Sequence, residues 1–195
     1  HRVNLIGGGM PERSENPARP HNSCVAVNES GAIAAVYRKI HLFDVDLADG
    51  TTFTDITGDG RPELVGITKG RYGYAGPDPA APEKPWVFHP ISPDNKYGNF
   101  THGMGVGDVN GDGRADLIEK DGWWEQPASL AGDPIWTFHP QPFGVGGSQM
   151  YAYDVNGDGL NDVITGLSAH GFGLAWFEQY REGGAIKFRE HILMN

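Results

Sequence analysis

Three stretches decide how this chain reads: DITGDGRPE at 55–63, DVNGDGRAD at 108–116 and DVNGDGLND at 154–162. Each sets oxygen-bearing side chains at its first, third, fifth and ninth positions and glycine at its sixth. They are Asp55, Thr57, Asp59 and Glu63; Asp108, Asn110, Asp112 and Asp116; and Asp154, Asn156, Asp158 and Asp162. A hard cation such as Ca2+ gathers roughly six to eight oxygens from carboxylates, amides, backbone carbonyls and water. Alternate residues of a tight loop converge on one point, and Gly60, Gly113 or Gly159 permits the sharp turn between them. Three recurrences predict a metal-binding repeat with Ca2+ as its cofactor.

The repeat extends beyond the loops. Each is followed by a short apolar run: ELVGI at 63–67, DLIEK at 116–120 and DVITG at 162–166. Glycine and aromatics come next: Gly70-Arg71-Tyr72, Gly122-Trp123-Trp124, and Gly173 with Trp176-Phe177. A third mark is Trp86-Val87-Phe88-His89, then Trp136-Thr137-Phe138-His139, then a degraded Ile186-Lys187-Phe188-Arg189 ahead of His191. Successive loops start 53 and 46 residues apart, and successive third marks 50 and 50 apart. A period near 50 with several short strands per unit is the scale of a β-propeller blade. Helical periodicity is absent here, and Pro and Gly recur too often for long helices.

An EF-hand is the rival reading, since Asp108, Asn110, Asp112, Gly113 and Glu119 satisfy its pattern. The other two copies carry Gly66 and Thr165 where Glu119 stands, so that position is not part of the repeat. Gly103, Gly105 and Gly107 would also undermine an entering helix. The loops therefore join strands.

GVGDVNGDGRADLIEKDGWWEQP at 105–127 and MYAYDVNGDGLNDVITGLSAHGFGLAWFEQ at 150–179 resemble FG-GAP (VCBS-type) repeats, as does the region 54–195 as a whole. The resemblance implies an integrin-like calcium-binding β-propeller with a structural or binding role, of a type found in large secreted bacterial proteins, some related to sugar-processing dehydratases. It also implies that the backbone carbonyls of Arg61, Arg114 and Leu160, at position seven, complete the three sites. Thr57 and Glu63 depart from the family pattern, which makes the first site the weakest of the three. About three blades are visible, and a closed propeller takes roughly four to eight. Further blades are thus expected from a longer chain or an associated subunit.

Before residue 54 the repeat vanishes. VNLIGGGMPER at 3–13 and HNSCVAVNESGAIAAVYRKIHLFDVDL at 21–47 read as a strand, a loop and a hairpin, with Asn28-Glu29-Ser30-Gly31 as the turn. GGGMPER at 7–13 and YRKIHLFDVD at 37–46 resemble the nitrilase (carbon–nitrogen hydrolase) superfamily. The resemblance implies a Glu-Lys-Cys triad in which Lys39 is the lysine. By that resemblance the glutamate would lie upstream of His1 and the cysteine downstream, and Cys24 does not match the nucleophile. The expected organisation is a catalytically incomplete nitrilase-like segment at 1–53 and a propeller region at 54–195. The fold class is all-β: a partial propeller of about three FG-GAP-like blades behind a hairpin-containing segment.

Composition narrows the functions. A chain of 195 residues holds one or two domains and a sizeable core. Glycine supplies 29 of them, about twice the usual share, so turns are dense. No apolar run approaches the roughly 20 residues of a helical membrane span, and no signal segment opens the chain. His1 stands where Met is usual, so a processed chain or an excerpt is expected; a copper-binding N-terminal histidine finds no second support. The net charge of −10 argues against nucleic acid. The loops hold nine of the carboxylates, and three Ca2+ would bring the charge to about −4. The single Cys24 excludes an internal disulfide without fixing the compartment; an extracellular or periplasmic location is expected for a calcium-stapled chain.

Other residues leave alternatives open. His102, beside Gln149 and Tyr151, and His170 are either channel residues able to bind a metal or move protons, or hydrogen-bonded structural histidines. As channel residues they would suit a carbohydrate lyase or dehydratase. His89 and His139 recur with the repeat and read as structural. Trp123, Trp124 and Trp176 either stack on sugar rings or pack the blades. The partner expected is a carbohydrate or a protein, with amide or nitrile hydrolysis through Lys39 as the other enzymatic alternative.

Overall fold

Short β-branched and aromatic runs between glycine turns favour strands, and the chain is all-β. The computed structural model describes residues 5–12, 21–27, 32–38, 52–95, 97–98, 101–147 and 149–194, and among these fifteen strands and no helix. They form two compact units, His1–Val45 and Asp46–Asn195.

The first unit holds β1 (Leu5–Glu12), β2 (His21–Val27) and β3 (Ile33–Arg38), in an antiparallel sheet of that order. The β1–β2 register shifts between Gly7 and Met10, within the glycine run. The hairpin expected around 28–31 is present as β2 and β3, paired from Ser23↔Arg38 to Val27↔Ile33. The turn itself and Lys39 lie outside the described residues, while Cys24 sits opposite Tyr37.

The second unit is a succession of three four-stranded antiparallel meanders. The first is β4 (Thr52–Thr54), β5 (Glu63–Thr68), β6 (Arg71–Gly76) and β7 (Val87–Pro90). The second is β8 (Met104–Gly107), β9 (Asp116–Glu119), β10 (Gly122–Glu125) and β11 (Thr137–Pro140). The third is β12 (Gln149–Tyr153), β13 (Asp162–Gly166), β14 (Leu174–Glu182) and β15 (Ala185–Met194). Each acidic loop joins the first two strands of its meander.

The all-β class expected from the sequence is what the structure shows, and the three meanders are not three separate sheets. The second and third meanders form a single eight-stranded sheet, ordered β11-β10-β9-β8-β12-β13-β14-β15, beside the four-stranded β4-β5-β6-β7. The join is a short parallel pairing, Gln149↔Met104 and Met150↔Gly105. Its physical reason is Gly105, where any Cβ would stand 2.0 Å from the Met150 carbonyl oxygen. The bare glycine lets the two backbones meet.

Strand periodicity then explains the core. β9 is buried along its whole length, and successive side chains point to opposite faces. Leu117 and Trp124 join Ile56, Val65, Tyr72, Ile91 and Trp136 in one cluster, while Ile118 and Trp123 join Phe143, Met150, Val163 and Phe177 in another. The middle meander is a shared wall between two cores.

Candidate functional site

Each acidic turn is organised by its own carboxylates. In the first, Asp55 Oδ1 accepts the N–H groups of Gly58 (2.8 Å) and Asp59 (3.1 Å), and Oδ2 accepts that of Gly60 (2.9 Å). Asp108 takes the same three positions, from Gly111, Asp112 and Gly113, and Asp154 takes them from Gly157, Asp158 and Gly159. The fifth-position carboxylates of Asp59, Asp112 and Asp158 accept the N–H groups of Arg61, Arg114 and Leu160 at 2.9, 2.9 and 2.8 Å. Both the fourth and the sixth residues have positive φ, for example 81° at Gly111 and 85° at Gly113. Sequence reasoning identified only the sixth as the turn glycine.

The ninth position plays a different part. Asp116 and Asp162 are fully buried, and Glu63 nearly so. Asp116 accepts N–H groups from Val109 (2.9 Å) and Gln126 (2.9 Å), and Asp162 from Val155 (3.0 Å) and Gln179 (2.7 Å). Burial pushes the Asp116 carboxyl up to about 7, against the pull of those backbone donors and with repulsion from Asp112 and Asp108 added. Burial likewise raises Glu63, against hydrogen bonds from Thr57 and Ile56. These carboxylates tie loop to strand.

The three turns differ in charge. Asp55, Asp59 and Glu63 present oxygens within 4.8 Å of one another, and Thr57 Oγ1 in the same turn is buried without a hydrogen-bond partner. Among the described residues theirs is the only such cluster of three His, Cys, Asp or Glu side chains. In the second turn the Arg114 guanidinium pairs with Asp112, and the Asn110 amide donates to the same carboxylate at 2.9 Å. In the third, Asn156 donates to Asp158 at 3.1 Å. The turn that departs most from the repeat therefore gathers the most uncompensated carboxylate.

Two glutamines link successive turns. The Gln126 side-chain amide donates to the carbonyls of Ile56 and Ala115, and that of Gln179 to Val109 and Asn161. Each binds its own turn and the turn before it. Their signal was present in the sequence, as the shared WWEQ at 123–126 and WFEQ at 176–179, but the aromatics of those strings overshadow it.

The repeated histidines stack on aromatics directly across the strand pair. His89 lies on Tyr74, His139 on Trp123 and His191 on Trp176, with centroids 5.0, 4.1 and 4.6 Å apart. Each imidazole meets a carboxylate, of Asp133 (2.7 Å), Glu125 (2.6 Å) and Glu178 (2.7 Å) respectively. Trp123 and Trp124 are buried, which removes them as sugar platforms. Tyr151 is exposed and its hydroxyl donates to Gln149. His102 and His170 come together, Nε2 to Nε2 at 3.1 Å.

The comparisons with known proteins bear on the other end of the chain. The sequence model of the carbon-nitrogen hydrolase family matches residues 1–75. The "Omega-amidase, chloroplastic" of Arabidopsis thaliana is 36% identical over 75 residues, which is 37% of this chain and 20% of that protein. The human "Omega-amidase NIT2" is 42% identical over 53 residues, 27% of this chain and 18% of that protein, and the Saccharomyces cerevisiae "Omega-amidase NIT3" is 36% identical over 52 residues, 27% and 18%. The chain spans about a fifth of the length of the relatives it matches. No solved structure matches it.

These matches correct the functional expectation. The reading of the chain as a calcium-binding FG-GAP/VCBS propeller module gives way to similarity with carbon–nitrogen hydrolases, which runs past the first acidic turn to residue 75. The matches favour the amide or nitrile hydrolysis that the sequence offered as an alternative.

Proposed function

We propose that this chain carries a carbon–nitrogen hydrolase segment and that its chemistry is hydrolysis of a C–N bond, with ω-amides as the first substrate class to test. The observation that carries this reading is the family match over residues 1–75, together with relatives named omega-amidases. Amide hydrolysis in such a site needs a thiolate that attacks the carbonyl carbon, a carboxylate that moves the proton, and a cation for the oxyanion that forms. Lys39 is assigned the last role: its ammonium stabilises charge on the former carbonyl oxygen as the C–S bond forms. Ammonia then leaves, and water releases the acid and restores the thiol. Cys24 is not assigned as the nucleophile.

A chimera tests this. Residues 1–53 replace the matching segment of the Arabidopsis omega-amidase, and ammonia release is measured. Turnover is expected to survive, and Lys39→Ala in the chimera is expected to lower kcat about 10²–10³-fold, the usual cost of an oxyanion donor. A folded chimera without turnover, or one indifferent to Lys39→Ala, overturns the assignment.

The acidic turns are a separate matter from that chemistry. We infer that they are ligand sets for a hard divalent cation such as Ca2+, with Asp55, Thr57, Asp59, Glu63 and the Arg61 carbonyl the first set. What supports it is the mutual approach of three carboxylates within 4.8 Å, which repel one another unless a cation or protons intervene. The corresponding sets are Asp108, Asn110, Asp112, Asp116 with the Arg114 carbonyl, and Asp154, Asn156, Asp158, Asp162 with that of Leu160. A cation at 100 times its Kd stabilises the folded state by about 2.7 kcal/mol, a Tm rise of roughly 5–10 °C at this size. Equal Tm values in calcium and in chelator would exclude the sites.

A further inference from the structure

We propose that His102 and His170 form a two-histidine site for a borderline transition-metal ion of the Zn2+, Ni2+ or Cu2+ class, independent of the amidase reading and of the acidic turns. The two residues stand 68 positions apart in sequence, yet their Nε2 atoms lie 3.1 Å apart. Their rings meet edge to face, with centroids 4.8 Å apart and planes at 83°.

The distance suits a shared ion. Zinc binds imidazole nitrogen at about 2.0–2.1 Å in tetrahedral geometry, which sets two such nitrogens about 3.3 Å apart. A square-planar ion of similar bond length sets adjacent ligands about 2.9 Å apart. The observed separation falls between the two. Crossed rings also let two in-plane lone pairs converge without the rings colliding. Without an ion, the same approach brings together two ring nitrogens that can share only one proton between them.

The position is built rather than incidental. His102 precedes β8 and His170 follows β13, and a third segment at 144–147 locks both in place. Ala169 donates its N–H to the Gly146 carbonyl at 2.8 Å, and Val145 donates to that of Leu167 at 3.2 Å. A Cβ at Gly146 would stand 2.7 Å from the His102 carbonyl oxygen, and one at Gly147 only 1.7 Å from that of Gly166. Gly103, at φ 85°, takes a conformation other residues avoid. Close backbone contacts at Gly103, Gly146 and Gly147 thus hold together the segments that carry the two histidines. His170 is exposed and His102 half-buried, so water completes the coordination and the ion remains exchangeable.

The test follows the imidazole nitrogens of the intact, 15N-histidine-labelled protein by NMR during a zinc titration after chelator treatment. The Nε2 resonances of His102 and His170 are expected to shift together and saturate with one ion. Isothermal titration of His102→Asn and His170→Asn should each show the loss of that ion, or a weakening beyond the roughly 10–100-fold that outer-sphere changes cost. Nε2 resonances that stay fixed at millimolar zinc overturn the site, as do folded variants that bind zinc like the parent. The NMR titration uses the parent protein alone, so it decides the question even where a variant misfolds.

Discussion

Glu119 closes β9 in full burial, accepting the Tyr97 hydroxyl at Oε1 (2.9 Å). Burial raises its pKa, the Tyr97 hydrogen bond pulls the other way, and Asp121 adds repulsion. A carboxyl raised in the folded state holds its proton more tightly there than in the unfolded chain. Its contribution is complete below the ordinary carboxylate value of about 4.3 and is lost as pH rises through the folded value. Glu119→Gln keeps an acceptor for Tyr97 and removes that titration. Thermal melts between pH 4 and 8 should show the parent losing ground to the variant as pH rises; parallel profiles would refute the effect. At this scale legibility depended on range. The first-position aspartates were readable because their hydrogen bonds close within five residues. Gln126 and Gln179 were not, because each also reaches a carbonyl 70 residues away.

Within an element, the repeated unit is a cross-strand pair rather than a string. In the second meander Trp123 faces His139 and Trp124 faces Phe138, while Gly122 faces Pro140 at the strand end. Gly122 is bare because the Phe138 ring and the His139 carbonyl occupy the space, 2.7 and 2.2 Å from where a Cβ would be. Gly73 has the same relation to Phe88 and His89. Gly122→Ala must push backbone as well as a ring, so the upper part of the usual overpacking cost applies, about 2–3 kcal/mol. Urea denaturation measures it, and a loss below about 0.5 kcal/mol, typical of surface changes, would mean the pair is not tight. The register also explains why the third copy looks degraded in the sequence. In that meander Phe188 faces Gln179 and His191 faces Trp176. The histidine kept its place opposite the aromatic while its spacing in the sequence shifted, and spacing is all that a linear reading can compare.

Across the molecule, strand content and loop positions were legible because turn chemistry is local. The order of the sheets was not. Pairing of β8 with β12 is parallel and covers two residue pairs, far too little to leave a pattern in either strand. Similarity to carbon–nitrogen hydrolases was legible at 37–46 but its reach to residue 75 was not, since a strong repeat from 55 onward claimed those residues first. The merger of two meanders into one sheet hangs on Gly105. A methyl group there would meet the Met150 carbonyl oxygen at 2.0 Å, with the Met150 carbonyl carbon at 2.7 Å. No side-chain rotation relieves a clash with backbone, so Gly105→Ala must separate β8 from β12 or bend one of them. The expected cost is about 3 kcal/mol or more. Amide exchange locates it: protection should fall first at residues 104–105 and 149–150, with the hydrogen bonds of β5 to β6 keeping theirs. Gly107→Ala is the control, because the atom it would meet most closely is the Ala152 methyl, at 2.8 Å. Equal losses in the two variants would show that crowding of the pair, rather than the backbone contact at Gly105, holds the two meanders together.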